Sequence, residues 1–191
     1  MKEEPIRCGW CLKDQLYKDY HDHEWGYPIH EERKWFEKII LDGAQAGLSW
    51  YTILVKRENY RRAYHHWDIE KIAAYGEEDF NRLMQDTGIV RNKLKIRASI
   101  TNAQAFLKIQ ETYGSFDTYI WQFTDHQTIV NYPETLADVP TSTTASDAMS
   151  KDLKKRGFKF VGTTICYAFM QAAGMVDDHL VSCWRKKHIK T

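Results

Sequence analysis

Apolar side chains recur at intervals of three and four residues over most of the chain. No segment alternates apolar and polar positions strictly enough to predict a strand. The first helical run extends from Trp35 to Ile40 behind the acidic pair Glu31 and Glu32, which favours a helix N-terminus. We expect this helix to stop between Gly43 and Gly47. The pattern therefore predicts an all-α protein.

The later helices are delimited by capping residues and glycines. Ser49 and Asp68 carry side chains typical of N-caps, and Gly88 is a usual residue just beyond a helix C-terminus. From Asp125 to Thr144 the pattern lapses into prolines and hydroxyl residues, which predicts a loop. Helices are expected from Trp50 to Tyr64, from Ile69 to Ala73, from Glu77 to just before Gly88, from Ile96 to Leu107, from Ser115 to Phe123, from Ser146 to Leu153 and from Val161 to Gly174.

The composition is that of an ordinary globular chain, with 191 residues of which 43% are hydrophobic and 28% charged. Its formal net charge of +1 provides no overall basic field, so nucleic acid would have to contact a local patch. Basic residues cluster at 91–97, 151–159 and 185–190, and each cluster taken alone is more typical of a solvated helix face. Without an export signal or a long apolar segment, we expect a cytoplasmic protein that does not contact membranes and acts as a monomer.

Cysteine and histidine occur in two pairs near opposite ends of the chain, Cys8 with His21 and His179 with Cys183. Two thiolates and two imidazoles are a set that tetrahedral zinc accepts, and the second pair is spaced to share one face of a helical turn. The first pair is spaced more widely than in a zinc knuckle, so spacing alone leaves zinc and a chance grouping equally open. With four protein ligands, the zinc would be structural. The competing ligands are His23, His65 and His66.

Large aromatic residues lie near carboxylates in the sequence or in the expected fold. Rings with a few polar groups could hold a flipped-out base, because stacking accepts any π-face while polar atoms distinguish its edge. The alternative is that the rings fill the core, which is the commoner location of Trp. The rings are Trp10, Tyr17, Tyr20, Trp25 and Trp50, and the carboxylates are Asp22, Glu24 and Asp42.

Two small-residue turns could contact DNA. Leu48 lies near the tip of the first, where an exposed apolar residue could fill the gap left by an extruded base, although a close helix–helix connection explains the turn equally well. Gly157 and Gly162 frame the second, which precedes a predicted helix whose N-terminal N–H groups could bind a phosphate. Together with the aromatic set, these turns favour DNA as the partner.

Several longer motifs occur in one order along the chain. They are Cys8-Gly-Trp10, Tyr-His-Asp-His-Glu-Trp-Gly at 20–26, Gln-Ala-Gly-Leu-Ser-Trp at 45–50, Pro-Thr-Ser-Thr at 140–143, Ser-Lys-Asp-Leu-Lys-Lys-Arg-Gly-Phe-Lys-Phe-Val-Gly-Thr-Thr at 150–164 and Asp178-His179. With them the chain resembles the bacterial 3-methyladenine DNA glycosylase I family from Cys8 to Cys183. The resemblance implies an all-α helix-hairpin-helix DNA glycosylase fold whose termini are joined by zinc. Its two lobes would be residues 1–45 with 145–191, and residues 46–144.

The resemblance also implies roles for individual residues. Tyr20 and Asp42 would assist catalysis by hydrogen bonding to the departing base, and Trp50 would stack on it. Trp10, Tyr17 and Trp25 would complete the pocket wall. The DNA-binding residues would be Gly47, Leu48, Phe160, Val161, Gly162 and Thr163, and the ligands of one structural Zn²⁺ would be Cys8, His21, His179 and Cys183.

Asp42 departs from the family pattern. The family usually has Glu in a Leu-Glu-Gly context, whereas this chain has Leu41-Asp42-Gly43. That carboxylate is the family's main acceptor for the amino edge of the base, and Asp is shorter by one methylene. Three consequences are open: a water bridges the gap, the backbone moves closer, or affinity and selectivity are lower.

By resemblance, the activity is DNA repair: the enzyme flips out 3-methyladenine and hydrolyses its glycosidic bond, leaving an abasic site in double-stranded DNA. A 3-methylated adenine in DNA is positively charged, so it departs without protonation and needs little acid–base catalysis. No lysine is identified as a Schiff-base nucleophile, so we expect a monofunctional hydrolase. The alternatives are a zinc-stabilised DNA-binding protein without catalysis, and a glycosylase specific for another base.

Overall fold

The computed structural model describes residues 4–186, and these residues are mainly helical, as predicted. The α-helices are α1 (Gln15–His23), α2 (Glu32–Gln45), α3 (Trp50–Leu54), α4 (Arg57–Ala63), α5 (Ile69–Ala73), α6 (Glu77–Gln85), α7 (Lys93–Tyr113), α8 (Phe116–Trp121), α9 (Thr144–Lys155) and α10 (Thr163–Ala172). Short 3-10 turns occur at Gly9–Cys11, His65–Trp67, Gln122–Thr124 and Leu136–Asp138. No helix within 4–186 is long and apolar enough to cross a membrane.

The N-caps predicted at Ser49 and Asp68 are confirmed. The Ser49 hydroxyl accepts a hydrogen bond from the backbone N–H of Thr52 at 3.2 Å. The Asp68 carboxylate accepts one from the N–H of Lys71 at 3.0 Å. Each cap satisfies an N–H group that has no partner within its own helix, which fixes where α3 and α5 begin.

The prediction of a single helix from Trp50 to Tyr64 is wrong, because the chain forms two helices, α3 and α4, with a break at Val55 and Lys56. The N–H of Lys56 bonds to the carbonyl of Ile53, three residues back, at 3.0 Å, which interrupts the four-residue ladder. The final helix was also expected to begin at Val161. It begins at Thr163 because Gly162 is extended and acts as its N-cap.

The loop expected between residues 125 and 144 contains a strand that the pattern did not predict. Strand β1 (Ile129–Val130) pairs in parallel with β2 (Val176–Asp177), with Ile129 opposite Val176. Each strand has two residues, which is too short to produce a detectable alternation. This pairing joins the middle of the chain to the segment that follows α10.

Helix α2 is central to the core and contacts α3, α7, α8 and α10. On one side Trp35 stacks on Phe169 of α10, with ring centroids 5.4 Å apart. On another, Phe36 meets Phe106 of α7 edge to face at 5.5 Å. Because these rings are fully or almost fully buried, removing one would cost about 3–5 kcal/mol. The packing of these two rings therefore fixes the N-terminal half of α2 in the core.

A second, smaller cluster joins the two ends of the described chain. Cys8 from the N-terminal arm packs against Leu180 and Cys183, and Trp10 and Trp184 cover the cluster. The backbone N–H of Trp184 also bonds to the carbonyl of Ile6 at 2.8 Å. The N-terminal arm is thus attached to the C-terminal segment.

Candidate functional site

A cavity of about 300 Å³ opens between the N-terminal arm, α2, α3 and α10. This volume is at the lower end of the range for small-molecule sites. The loop before α9 contributes Leu136 and Val139 to its wall. The cavity brings together all six residues that the sequence proposed for base contact: Trp10, Tyr17, Tyr20, Trp25, Asp42 and Trp50.

The aromatic walls of the cavity support one another. Trp10 makes edge contacts with Tyr17 and Trp25, at centroid distances of 5.0 and 5.1 Å. Tyr20 lies 5.4 Å from Trp50, with the two ring planes tilted by 41°. Burial raises the pKa of Tyr20 well above its ordinary value, so its hydroxyl stays neutral and can donate a hydrogen bond.

Asp42 is buried in this cavity and is paired with a lysine that the sequence motifs did not indicate. The Lys38 ammonium donates to Asp42 Oδ1 at 2.8 Å and lies 4.1 Å from the centre of the Trp50 ring. Burial raises the pKa of Asp42, while Lys38 acts in the opposite direction. The only sequence signal for this pair is the four-residue spacing of Lys38 and Asp42 on α2.

Two polar atoms beside the cavity have no hydrogen-bond partner among the described residues. They are Asp42 Oδ2, an acceptor, and Trp50 Nε1, a donor, and both are buried. Buried polar groups are nearly always paired, so an unpaired acceptor and donor at one cavity are what a planar, hydrogen-bonding ligand would satisfy. A ligand that presents an amino group to Asp42 fits this arrangement.

Asp178 also lines the cavity, but both of its carboxylate oxygens already accept hydrogen bonds from the protein. Its Oδ2 accepts hydrogen bonds from Tyr167 Oη at 2.6 Å and Gln171 Nε2 at 2.7 Å. Its Oδ1 accepts one from Asn131 Nδ2 at 2.8 Å. These bonds hold the segment after β2 against α10, and the next residue is His179.

Cys8, His21 and Cys183 form a buried cluster whose donor atoms all lie within 4.8 Å of one another. Cys183 Sγ is 3.5 Å from His21 Nε2. A tetrahedral zinc with ordinary Zn–S and Zn–N bond lengths would separate such atoms by about 3.6 Å. The spacing of these atoms therefore suits zinc.

His179, the fourth proposed ligand, lies beside this cluster with its ring centroid 5.2 Å from that of His21. Its Nε2 is buried without a partner in the described part of the chain, while its Nδ1 is 2.7 Å from Asp177 Oδ1. Likewise, His21 Nδ1 is 2.8 Å from Asp22 Oδ1. A carboxylate at Nδ1 fixes the tautomer in which Nε2 has a free lone pair, so both imidazoles are prepared to bind a metal.

The charges around the cluster also favour a cation. Hydrogen bonds from Arg7, His21 and Trp184 lower the pKa of Asp22 to about 2, although burial acts in the opposite direction. Contact with Cys8 lowers the pKa of the Cys183 thiol, which favours the thiolate form that binds a metal. Of the competing histidines, His23 is exposed and His65 and His66 lie in a 3-10 turn, and none belongs to the cluster.

Gly26 connects the aromatic wall to the metal-binding cluster. Its φ is +80°, and a Cβ at this position would lie 2.6 Å from His179 Cε1. Only glycine allows the chain to pass so close to the histidine ring. The preceding residue, Trp25, makes an edge contact with the same ring at 4.6 Å.

The turn with Gly47 and Leu48 projects from the end of α2. Gly47 has a φ of +76°, and Leu48 is 40% exposed. The Lys95 ammonium donates to the carbonyls of Ala44 and Ala46, both at 2.7 Å, and so fixes the base of the turn. Although the sequence placed Lys95 in a basic patch, it is bonded internally, and burial lowers its pKa.

The segment between α9 and α10 forms a tight connection held by α7. Asn102 of α7 donates to the carbonyl of Lys159 at 3.1 Å and accepts from its N–H at 2.8 Å. Gly162 caps α10 without a side-chain hydrogen bond to the first turn. The N-terminal N–H groups of this helix are therefore available to an anion.

The other residues proposed for this connection have internal contacts. Phe160 faces Gly43 of α2, whose added Cβ would lie 3.4 Å from Phe160 Cβ. Val161 is buried, and its carbonyl accepts from Ser150 Oγ at 2.6 Å. Thr163 Oγ1 donates to Asp147 Oδ1 at 2.5 Å. The connection is thereby packed directly behind the residue that follows Asp42.

Comparison with known proteins gives a consistent result. Residues 10–186 match a family model described as methyladenine glycosylase. DNA-3-methyladenine glycosylase 1 of Escherichia coli (strain K12) is 56% identical over 177 residues, covering 93% of this chain and 95% of that protein. DNA-3-methyladenine glycosylase of Haemophilus influenzae is 50% identical over 177 residues, covering 93% of this chain and 96% of that protein. A crystal structure of 3-methyladenine DNA glycosylase I matches with a TM-score of 0.91 at 54% identity, covering 94% and 98%. A structure of 3-methyladenine DNA glycosylase I from Staphylococcus aureus, which concerns 3-methyladenine recognition, matches with a TM-score of 0.92 at 37% sequence identity, covering 97% of each chain.

Proposed function

The chain belongs to the methyladenine glycosylase family, and on that premise we propose that its aromatic cavity receives 3-methyladenine flipped out of double-stranded DNA. The protein is a DNA repair enzyme that hydrolyses the N-glycosyl bond of this base. The observation that supports the assignment of the cavity is the buried pair of unpartnered atoms, Asp42 Oδ2 and Trp50 Nε1, beneath aromatic walls. The amino group of the base would satisfy the Asp42 carboxylate.

The cavity residues would act by binding the departing base. Trp50 would stack on it, and the neutral Tyr20 hydroxyl would donate a hydrogen bond to it. A 3-methylated adenine leaves without protonation, so its tight binding lowers the barrier while water attacks a sugar with oxocarbenium character. Asp42 would assist this departure as an acceptor and need not transfer a proton.

The two turns would engage the duplex on either side of the flipped nucleotide. Leu48, which is exposed at the turn formed by Gly47, would enter the base stack and fill the space left by the flipped base. We propose that the connection from 156 to 162, with α9 and α10, is a helix-hairpin-helix whose exposed N–H groups bind a DNA phosphate. In this arrangement residues 1–45 with 145–191 form one lobe and residues 46–144 the other.

We further propose that Cys8, His21, His179 and Cys183 bind one structural Zn²⁺. The support is the donor set itself: two close sulfurs, an imidazole at tetrahedral spacing and a second imidazole whose Nε2 lacks a partner. Bound zinc would supply a rigid link between the chain ends. Trp10 and Trp25 contact the His21 ring, at 5.4 and 6.0 Å between centroids, and would be positioned by that link.

The test of the proposed function is release of free base from alkylated DNA. Purified protein should liberate 3-methyladenine from methylated duplex DNA and leave abasic sites. The matched control is Tyr132→Ala, which alters an exposed aromatic residue outside the cavity and should retain full activity. Release of no 3-methyladenine would contradict the proposal. Binding to DNA without release would then favour the non-catalytic DNA-binding protein, and release of a different base would favour another specificity.

A further inference from the structure

Lys38 occupies an unusual position for a lysine. It is only 9% exposed and lies on the wall between the base cavity and a neighbouring cavity of about 470 Å³. Tyr20, Trp50 and Ala172 also line both spaces. A buried ammonium is costly unless it is paired, and this one is paired with Asp42 and lies over the Trp50 ring. The proposed roles of the cavity residues do not account for it.

The ion pair changes what the cavity presents to a base. Asp42 by itself would place an uncompensated negative charge beside a cationic purine. With Lys38 Nζ at 2.8 Å from Oδ1, the pair carries no net charge, and only Oδ2 is left to accept from the ligand. The other carboxylate of the cavity, Asp178, already accepts three hydrogen bonds from neutral donors.

We propose that Lys38 is a specificity-determining residue: it holds one oxygen of Asp42, leaves the other for the base, and offsets the carboxylate charge, so that the base is selected more by its hydrogen-bonding edge than by its positive charge. This inference rests on the proposed base-binding function of the cavity.

Two substitutions should have opposite effects on charge selectivity. Lys38→Met keeps an unbranched side chain but removes the ammonium, so Asp42 should then attract a cationic base. Asp42→Asn leaves the ammonium of Lys38 uncompensated, so a cationic base should be repelled. Combining Lys38→Met with Asp42→Asn removes both charges and should restore cation binding relative to Asp42→Asn alone. A lysine with only a structural role would produce no such rescue.

The experiment measures the dissociation constants of two small ligands by quenching of Trp fluorescence. One ligand is free 3-methyladenine in mildly alkaline buffer, where it is uncharged, and the other is 3,9-dimethyladeninium, which has a fixed positive charge. Lys38→Met should shift the ratio of the two constants towards the cation by about tenfold, and Asp42→Asn should shift it about tenfold the other way. Lys34→Met, an exposed site one turn earlier on α2, should leave the ratio within about twofold of wild type.

An unchanged ratio in Lys38→Met, with a folded variant by circular dichroism, would overturn the inference. Failure of Lys38→Met to rescue cation binding by Asp42→Asn would overturn it as well. Both outcomes leave the proposed function intact as long as the wild-type protein releases 3-methyladenine from DNA. Absence of that release would instead contradict the function itself.

Discussion

Trp50 presents both a ring face and an unpartnered N–H at the cavity. Trp50→Leu keeps apolar bulk but removes both features. Loss of one stacking partner costs about 1–3 kcal/mol, so we expect 3-methyladenine to bind roughly 5- to 150-fold more weakly. Equilibrium titration with the free base and kcat/KM for base release would measure the effect. The control is Tyr132→Leu, a 64% exposed ring outside the cavity, and equal affinities of the two variants would refute the stacking role.

At the scale of single residues, the sequence predicted which aromatic rings line the cavity but not that a buried lysine, Lys38, lies beside them. Trp10, Tyr20 and Trp25 were grouped from a short stretch of chain, and the 3-10 turn and α1 do bring them to one cavity. Lys38 was not identified, because a lysine four residues before an aspartate on a helix is ordinarily a solvated pair. Its burial depends on α3 and α10 packing against α2, which no local pattern specifies.

At the scale of elements, the connection between α9 and α10 depends on Asn102 of α7. Asn102→Ala would leave both the N–H and the carbonyl of Lys159 without their partner. Each of these two partly buried hydrogen bonds contributes about 0.5–1.5 kcal/mol, so we expect the free energy of unfolding in urea to fall by about 1–3 kcal/mol, with weaker binding to duplex DNA.

The matched control for Asn102 is Gln104→Ala on the same helix. Gln104 is exposed and donates one hydrogen bond, to the carbonyl of Ala73 at 3.0 Å. Its replacement should change stability by at most about 0.5 kcal/mol and leave DNA binding unaltered. If the two variants behaved alike in both measurements, Asn102 would not be what positions the connection.

The packing of α8 against α9 should depend on pH, because it involves the carboxylate of Asp152 on α9. It accepts hydrogen bonds from Tyr119 Oη at 2.8 Å and Arg156 Nε at 2.6 Å. Burial raises the pKa of Asp152, but the bonds from Arg156 and Tyr119 outweigh it and lower the pKa overall. Since the folded-state pKa is below the unfolded value of about 3.9, the stabilisation is complete above that pH and is lost as pH falls through the folded pKa.

Asp152→Asn should therefore flatten the decline of unfolding free energy below about pH 4. Urea unfolding over a series of acidic buffers would measure this. Asp125→Asn is the control, because Asp125 is exposed and its left-handed backbone conformation suits asparagine. An acid decline as steep in Asp152→Asn as in the control would exclude Asp152 as a source of the pH dependence.

The elements that the sequence predicted well are those with many apolar repeats or a side-chain cap. Ser49 and Asp68 marked helix starts correctly because their bonds to the backbone are local. The break at Lys56 was missed because apolar spacing continues across it in register. The pairing of β1 with β2 joins segments 47 residues apart, Ile129 and Val176, and depends on tertiary structure alone.

At the scale of the whole molecule, removal of the proposed zinc is expected to loosen the cavity as well as the attachment of the N-terminal arm to the C-terminal segment. Elemental analysis should find about one zinc per chain, and chelation should lower both the melting temperature and the affinity for 3-methyladenine. Cys8→Ser should have the same effects. Cys166→Ser, at a buried cysteine beside the carbonyl of Val161, should retain the metal. Full zinc content in Cys8→Ser would refute the ligand set.

The meeting of the chain ends could be anticipated because cysteine and histidine are few and their chemistry is specific. Cys8, His21 and Cys183 do lie in one cluster. The spacing of these residues could not decide between zinc and chance, since the convergence of distant segments depends on the whole fold. Residues 187–190 of the C-terminal basic patch lie outside the described residues.

The attachment of the N-terminal arm to the C-terminal segment has a consequence for the order of biosynthesis. Trp10 and Trp25 lie on an arm whose cluster partners, Leu180 and Cys183, leave the ribosome more than 150 residues after Cys8. The earlier helices can begin to pack while the chain emerges, whereas the aromatic wall is complete only after Leu180 and Cys183 have emerged. A nascent polypeptide from which the segment with His179 and Cys183 has not yet emerged would lack the partners of this arm, so we expect it to bind the damaged base poorly.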